Sequence, residues 1–131
     1  MIFELKEIKE AQATVKSGAD FPKYVQELSR LGVKKYETYV HDGHTVYFGD
    51  DDYQIKSRRS YSKLNIANIS DKERFKHYLK RYQRAQTDYA TFCKNSAETG
   101  VERWTVDISR MTCTYYDKLN NKMLEEPIAI P

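Results

Sequence analysis

The sequence has little of what a secreted, membrane-bound or redox protein needs. Its 131 residues contain two cysteines, Cys93 and Cys113, without CxxC or Cys/His spacing. Neither a disulfide scaffold nor a zinc site is therefore indicated, and buried free thiols are expected. No stretch approaches the roughly 18 apolar residues of a membrane helix, and the apolar start runs into charged residues rather than a signal sequence. We expect a cytoplasmic protein with no membrane partner.

The familiar catalytic motifs are also missing. The chain has no GxSxG elbow, GxxxxGK[ST] phosphate loop, HExxH or GxGxxG motif. An enzyme is therefore less expected, and no cofactor is predicted. Tyrosine, by contrast, is abundant: the chain has 11 tyrosines, five phenylalanines and one tryptophan. Because tyrosine is amphipathic, many of these rings are expected to be half-buried.

Positive charge is concentrated in the middle of the chain. Between Lys56 and Arg84 there are ten basic residues against two acidic ones, although the net charge is only +3. Part of this charge recurs at every fourth position of a predicted helix. The candidate nucleic-acid-binding residues are Arg58, Arg59, Lys72, Lys76, Lys80 and Arg84. A solvated helix face with no partner is the alternative.

Hydrophobic periodicity and turn residues predict the order of elements. A first helix is expected to end near Gly18, and a second to be capped by Asp20 and ended by Gly32. Asp42 and Gly43 predict a type I′ turn between two strands, with a third strand at residues 53–56. Ser70 and Glu73 form a predicted capping box. Further predictions are a helix capped by Thr87 or Asp88 and ended by Gly100, and strands at 101–108, 112–116 and 122–125.

The two halves of the chain align with an offset of 68 residues. Gly32 then falls on Gly100, Tyr36 meets Trp104, and Tyr47 falls on Tyr115. These four aromatic residues share the more apolar face of the strands, which is expected to meet the helices. We predict an α+β fold in which two diverged helix-helix-β-meander repeats form one domain, residues 1–131, with an antiparallel sheet. The repeats span about 4–56 and 71–126, linked by 57–70. Chance similarity between two helix-hairpin segments is the alternative.

The predicted hairpin carries the strongest candidates for chemistry. A two-residue turn would place His41 directly opposite His44, with Glu37 and Tyr39 on the same strand face. Two imidazoles beside a carboxylate can hold a metal ion, and a carboxylate can orient a histidine for proton transfer. The second half has no histidines at the matching positions. A solvated hairpin with no site is the alternative, and no metal is expected.

Several stretches resemble a known family. They are residues 17–22, 36–40, 42–47 and 111–117, reading SGADFP, YETYV, DGHTVY and MTCTYYD. Over nearly its whole length the chain is similar to the YbcV-like family of small bacterial and prophage-encoded proteins of unknown function, sometimes labelled "phage envelope protein". The resemblance implies an α+β fold and a prophage-related context, and it assigns no activity to any residue.

The sequence does not specify an activity. The tyrosine content and the missing catalytic motifs favour a non-enzymatic binding or regulatory accessory protein, of the bacterial or prophage origin that the resemblance implies. Its partner would be a protein or a small-molecule ligand. Weak nucleic-acid binding through residues 56–84 and an enzyme or metal-binding role for the hairpin are the alternatives.

Overall fold

The structure is a computed structural model that describes residues 2–130. Its helices are α1 (Leu5–Gln12), a short 3-10 helix (Gly18–Asp20), α2 (Phe21–Leu31), α3 (Lys72–Gln83) and α4 (Tyr89–Glu98). Its strands are β1 (Lys35–Tyr39), β2 (Thr45–Phe48), β3 (Gln54–Lys56), β4 (Val101–Asp107), β5 (Thr112–Asp117) and β6 (Lys122–Pro127). The predicted α+β class is confirmed. Within this part of the chain no helix is long and apolar enough to cross a membrane.

All six strands form one antiparallel sheet in the order β3-β2-β1-β4-β5-β6. Each half of the chain supplies three consecutive strands, and the two halves join where β1 pairs with β4. In that pairing Tyr36 lies opposite Val106 and Glu37 opposite Thr105. The sheet is therefore continuous across both halves.

Side chains alternate across the sheet because successive strand residues point to opposite faces. Tyr36, Thr38 and Tyr47 are buried on the face that the helices cover, as are Trp104 and Val106 in the second half. Apart from Thr38, these residues share one hydrophobic core with side chains of all four α-helices. Both cysteines are free and buried, as predicted.

The first helix is shorter than predicted. It ends at Gln12 rather than near Gly18, and the Thr14 hydroxyl donates to the carbonyl of Ala11 at 2.7 Å in the turn that follows. Asp20 is the N-cap residue of the second helix, as predicted, but its side chain makes no capping hydrogen bond, because the carboxylate accepts the Lys16 N–H at 2.8 Å. Gly32 does end α2, with a φ of 103° that favours glycine.

The predicted capping box at α3 is also wrong by one residue. Asp71, not Ser70, is the N-cap, and its carboxylate accepts the Arg74 N–H at 3.2 Å. The Ser70 hydroxyl instead donates to Asp117 at 2.7 Å, which ties the start of α3 to the end of β5. At α4 the predicted cap is found, since the Asp88 carboxylate accepts the Thr91 N–H at 2.8 Å.

The first hairpin has a different register from the predicted one. Thr38 pairs with Thr45, and the Tyr39 N–H donates to His44 at 2.9 Å, so residues 40–43 form the connection. His41 is thus not directly opposite His44, and Asp42 lacks the positive φ that a type I′ turn requires. The register slips by two residues, and each side chain keeps its predicted face.

Residues 57–70 contain neither helix nor strand and pack against the hairpin. Ser57 exchanges two hydrogen bonds with the Thr45 backbone: Thr45 N–H donates to the Ser57 hydroxyl at 2.9 Å, and Ser57 N–H to the Thr45 carbonyl at 2.8 Å. The Tyr61 hydroxyl donates to the Val40 carbonyl at 2.6 Å. The first part of the segment is therefore held by the first hairpin, whereas its end is bonded elsewhere, since the Ala67 N–H donates to the Ala97 carbonyl at 2.9 Å.

Candidate functional site

A cavity of about 680 Å³ lies between the helices and the sheet face that they cover. Pockets that hold small organic molecules generally have volumes of this order. All four α-helices, strands of both halves and the segment that follows β3 contribute to its walls. The cavity is thus lined by the two halves together, and part of its surface is open to solvent.

Nine of the residues that line these walls are aromatic. The aromatic lining residues are Phe21, Tyr24, Tyr36, Tyr47, Tyr82, Tyr89, Phe92, Trp104 and Tyr115. They include six of the chain's 11 tyrosines. The large tyrosine content is therefore explained mainly by one feature of the molecule.

The wall formed by the N-terminal half is polar. The Gln12 amide nitrogen lies 3.2 Å from the Tyr24 hydroxyl and 3.1 Å from the Tyr47 hydroxyl, and it donates to both. Beside them the hydroxyls of Thr38 and Thr45 lie 2.8 Å apart. These side chains all line the cavity, so this wall offers several hydroxyl groups.

The wall formed by the C-terminal half is mostly apolar and stacked. The rings of Tyr82 and Phe92 are parallel to within 9°, with centroids 4.7 Å apart. Trp104 packs against Phe92 with its centroid at 5.6 Å, and Leu79 and Ile128 complete this wall. An apolar or aromatic group fits this side of the cavity.

Two polar groups, on largely buried residues of the walls, have no hydrogen-bond partner in the described part of the protein. Tyr36 is 5% exposed and Trp104 is 6% exposed. No hydrogen bond to the Tyr36 hydroxyl or to the Trp104 indole N–H is found among residues 2–130, and both residues line the cavity. The fully buried side-chain atom without a partner in this part of the chain is Thr87 Oγ1, so the polar atoms of Tyr36 and Trp104 keep some contact with the open space of the cavity. Buried polar groups are normally hydrogen-bonded. Both groups are therefore available to a molecule inside the cavity.

Burial keeps the tyrosine and cysteine side chains of the walls neutral. It raises the pKa of Tyr36 well above its ordinary value, and it also raises the pKa of Tyr24 and Tyr47. Burial likewise raises the pKa of Cys113 to about 12. At neutral pH the tyrosines are hydroxyl donors, and Cys113 is a thiol rather than a nucleophilic thiolate.

Cations surround the cavity. Lys9, Lys16, Arg58 and Arg59 line it and are exposed, whereas Glu126 is the one carboxylate of its lining residues. Within the described range, residues 2–130, these four cations have no acidic partner within 4.0 Å. The electrostatic potential of the site therefore favours an anion.

The amino-acid sequence matches one protein-family model over most of its length. Residues 9–127 match the model of a family described as "Protein of unknown function (DUF1398)". The chain belongs to this family. No curated protein matches the chain. Membership of the DUF1398 family does not indicate an activity. The similarity to the YbcV-like family and the prophage-related context stay predictions.

The candidate site residues of the first hairpin do not line the aromatic cavity. His44 Nδ1 is 2.6 Å from Asp42 Oδ1, and His41 Nε2 is 3.4 Å from Asp42 Oδ2. The Tyr39 ring stacks on His44 at 4.7 Å, whereas Glu37 contacts Arg103 at 3.7 Å and accepts the Thr105 hydroxyl at 3.2 Å. Glu37 is thus part of a different group of contacts.

The His41, Asp42 and His44 side chains could each offer one ligand atom within 4.8 Å of the others. Asp42 already has a structural role, because its Oδ1 also accepts the His44 N–H at 3.0 Å. Burial opposes ionisation of Asp42, but hydrogen bonds from His44 outweigh it and lower the pKa of the carboxyl. The metal or catalytic hairpin stays a prediction.

The predicted nucleic-acid-binding residues separate into two groups. Arg58 and Arg59 line the cavity, whereas the other four lie on α3 or at its end and do not. Lys76 lies 3.8 Å from Glu73, and the neighbouring Arg74 lies 3.9 Å from Asp71. Acidic partners three positions earlier therefore offset part of the charge, and nucleic-acid binding stays a prediction.

Sequence reasoning missed the cavity residues as a site. It assigned Tyr36, Tyr47, Trp104 and Tyr115 to the helix-facing side of the sheet, where they lie, but interpreted them as core. The available signal was the tyrosine excess itself, because a core without cavities rarely needs so many hydroxyl-bearing rings.

Proposed function

We propose that this protein binds a small organic molecule in the aromatic cavity and that it acts by binding rather than by catalysis. The observation that carries the proposal is the pair of unpartnered polar groups, on Tyr36 and Trp104, at the surface of a cavity of about 680 Å³. Both groups lie on the central strands β1 and β4.

Two physical arguments support an occupant. The Tyr36 hydroxyl and the Trp104 N–H have no partner in the described part of the protein, and each hydrogen bond to an acceptor of a ligand would contribute about 0.5–1.5 kcal/mol. Protein interiors are also close-packed, so a large aromatic-lined space is unusual unless something fills it. A bound molecule accounts for both features at once.

The composition of the walls supports binding rather than chemistry. No histidine is among the lining residues, the Cys113 thiol is protonated at neutral pH, and the Glu126 carboxylate accepts a hydrogen bond from Gln83 at 3.1 Å. The groups that remain are hydroxyls, an amide and cations. They can orient a molecule, but they do not form a nucleophile with an adjacent base.

Fluorescence titration with the neutral probe N-phenylnaphthylamine tests the proposal. We expect one probe molecule to bind per protein chain. Cys113→Phe should weaken this binding about tenfold or more, because the added ring projects into the cavity. Thr112→Phe is the matched control, since it adds the same ring one position earlier on β5, on the opposite face of the sheet.

The proposal fails if the wild-type protein does not bind the probe, or if both variants bind it like the wild type. Circular dichroism must first show that each variant is folded. Should Cys113→Phe fail this check, Leu79→Trp provides a second way to fill the cavity, from α3. Native mass spectrometry of freshly purified protein would further show whether a small molecule co-purifies.

A further inference from the structure

The charged groups of the cavity are distributed unevenly around it. Arg58 and Arg59 lie in the segment that follows β3 and are exposed, and neither has an acidic partner within 4.0 Å among residues 2–130. Glu126 lies on β6, at the other edge of the sheet, and is hydrogen-bonded to Gln83. An anion bound near β3 would therefore lie beside two arginines. The segment that carries these arginines, residues 57–70, contains no carboxylate.

Hydrogen bonds fix the segment that carries the two arginines. On one side Ser57 is bonded to the Thr45 backbone, at 2.9 and 2.8 Å. On the other side the Ser60 N–H donates to the Asp42 carbonyl at 2.7 Å, and the Ser60 hydroxyl donates to the Gly43 carbonyl at 3.2 Å. The backbone of the two arginines is therefore already ordered before a ligand binds, and only their side chains have to be immobilised.

The arginines adjoin the polar wall. Ser57 contacts Thr45, whose hydroxyl lies 2.8 Å from Thr38, and the hydroxyls of Tyr24 and Tyr47 are joined through Gln12 on the same side. The stacked rings of Tyr82 and Phe92 belong to the opposite half of the molecule. The site therefore has a cationic and polar end and an apolar end.

We propose that the ligand is a small amphipathic organic acid, an inference that rests on the proposed function. Its anionic group pairs with Arg58 and Arg59, since a guanidinium forms paired hydrogen bonds with a carboxylate. Its apolar or aromatic body packs against Phe92 and Trp104. Along its length the Tyr36 hydroxyl and the Trp104 N–H donate to acceptor atoms of the ligand.

Two probes with the same ring system test this class of ligand. Anilinonaphthalene sulfonate carries an anionic group, whereas N-phenylnaphthylamine does not. We expect the sulfonate to bind the wild-type protein more tightly than the neutral amine. The double variant Arg58→Gln, Arg59→Gln should weaken sulfonate binding about tenfold, because charge-assisted hydrogen bonds are lost, and should change amine binding less than about twofold.

A charge-matched variant removes two cations elsewhere. Lys72→Gln, Lys80→Gln changes the net charge by the same amount on exposed positions of α3 that do not line the cavity, and it should leave both probes unaffected. Competition separates the possible sources of negative charge. Naphthoate should displace the bound sulfonate, whereas acetate and inorganic phosphate at the same concentration should not.

The outcomes distinguish the two proposals. If neither probe binds, the proposed function fails and the ligand class fails with it. If the amine binds but the sulfonate binds no more tightly, or if the arginine variant binds the sulfonate like the wild type, only the ligand class is wrong. Equal losses in the lysine and arginine variants, or displacement by phosphate alone, also overturn it.

Discussion

At the scale of single residues, Asp117 connects parts of the molecule that are distant in sequence. It is 7% exposed and accepts hydrogen bonds from the Ser70 hydroxyl at 2.7 Å and from the N–H groups of Leu119 and Asn121 at 2.9 Å each. Burial opposes its ionisation, but these hydrogen bonds outweigh burial and lower the pKa of the carboxyl. One carboxylate thus joins the start of α3 to the β5–β6 turn.

We expect Asp117→Ala to lower the free energy of unfolding by about 2–3 kcal/mol, because hydrogen bonds to a charged group are lost together. The pKa of Asp117 is lower in the folded protein than its ordinary value of 3.8. Its stabilisation is therefore present above about pH 4 and is lost as the pH falls through the folded-state pKa. Urea unfolding between pH 3 and about pH 7 measures both effects.

Asp117→Asn provides the comparison for the pH dependence. This variant should be less stable than the wild type at neutral pH, and its stability should fall less steeply below about pH 4, because it has no carboxyl to protonate. Glu10→Gln, at an exposed position, is the control. Parallel pH profiles for the wild type and Asp117→Asn would show that Asp117 contributes nothing through its charge.

At the scale of elements, the first hairpin depends on the segment that follows it. The period-two pattern predicts its strands and the face of each side chain, and both are found. The register could not be predicted, because contacts from residues 57–64 hold the connection. Tyr61 donates to Val40, and the Leu64 N–H donates to the carbonyl of His41 at 2.6 Å. Short-range turn preferences carry no information about these contacts.

Gly43 is the residue at which this dependence can be measured. Its φ is +75°, and a Cβ atom there would lie 2.8 Å from Cε2 of Tyr61. We expect Gly43→Ala to lower the free energy of unfolding by about 2 kcal/mol or more, from backbone strain of about 1–2 kcal/mol and from the ring contact. In a Tyr61→Ala background the same substitution should cost less. An equal cost in both backgrounds would exclude the contact.

At the scale of the whole molecule, the sheet register supports the predicted duplication. Glu37 and Thr105 pair at the centre of the sheet, and their numbers differ by the offset of 68 that aligns the two halves. The same offset relates two cation–π pairs: Lys35 lies 4.7 Å from the Phe48 ring, and Arg103 lies 4.2 Å from the Tyr116 ring. The duplication stays a proposal.

The cavity is a feature of the whole molecule that the sequence pattern does not predict. The pattern identifies Tyr36 and Trp104 as equivalent residues of the helix-facing side, and both are buried there. It does not fix the distance between helices and sheet, because that distance depends on how side chains of four helices pack together. Whether apolar positions enclose a cavity or a filled core is therefore decided by the tertiary structure.

Because both halves share one sheet and one core, we expect them to unfold together. The only tryptophan, Trp104, reports on the second half, and exchanging it with its partner by Tyr36→Trp, Trp104→Tyr moves this reporter to the first half. The cavity adjoins both positions, so the larger indole has room at residue 36. In urea, the fluorescence midpoint of each protein should agree with its own circular-dichroism midpoint to within about 0.2 M. If the fluorescence midpoint departs from the circular-dichroism midpoint in opposite directions for the two proteins, the halves unfold separately, and residues 1–131 do not form one cooperative domain.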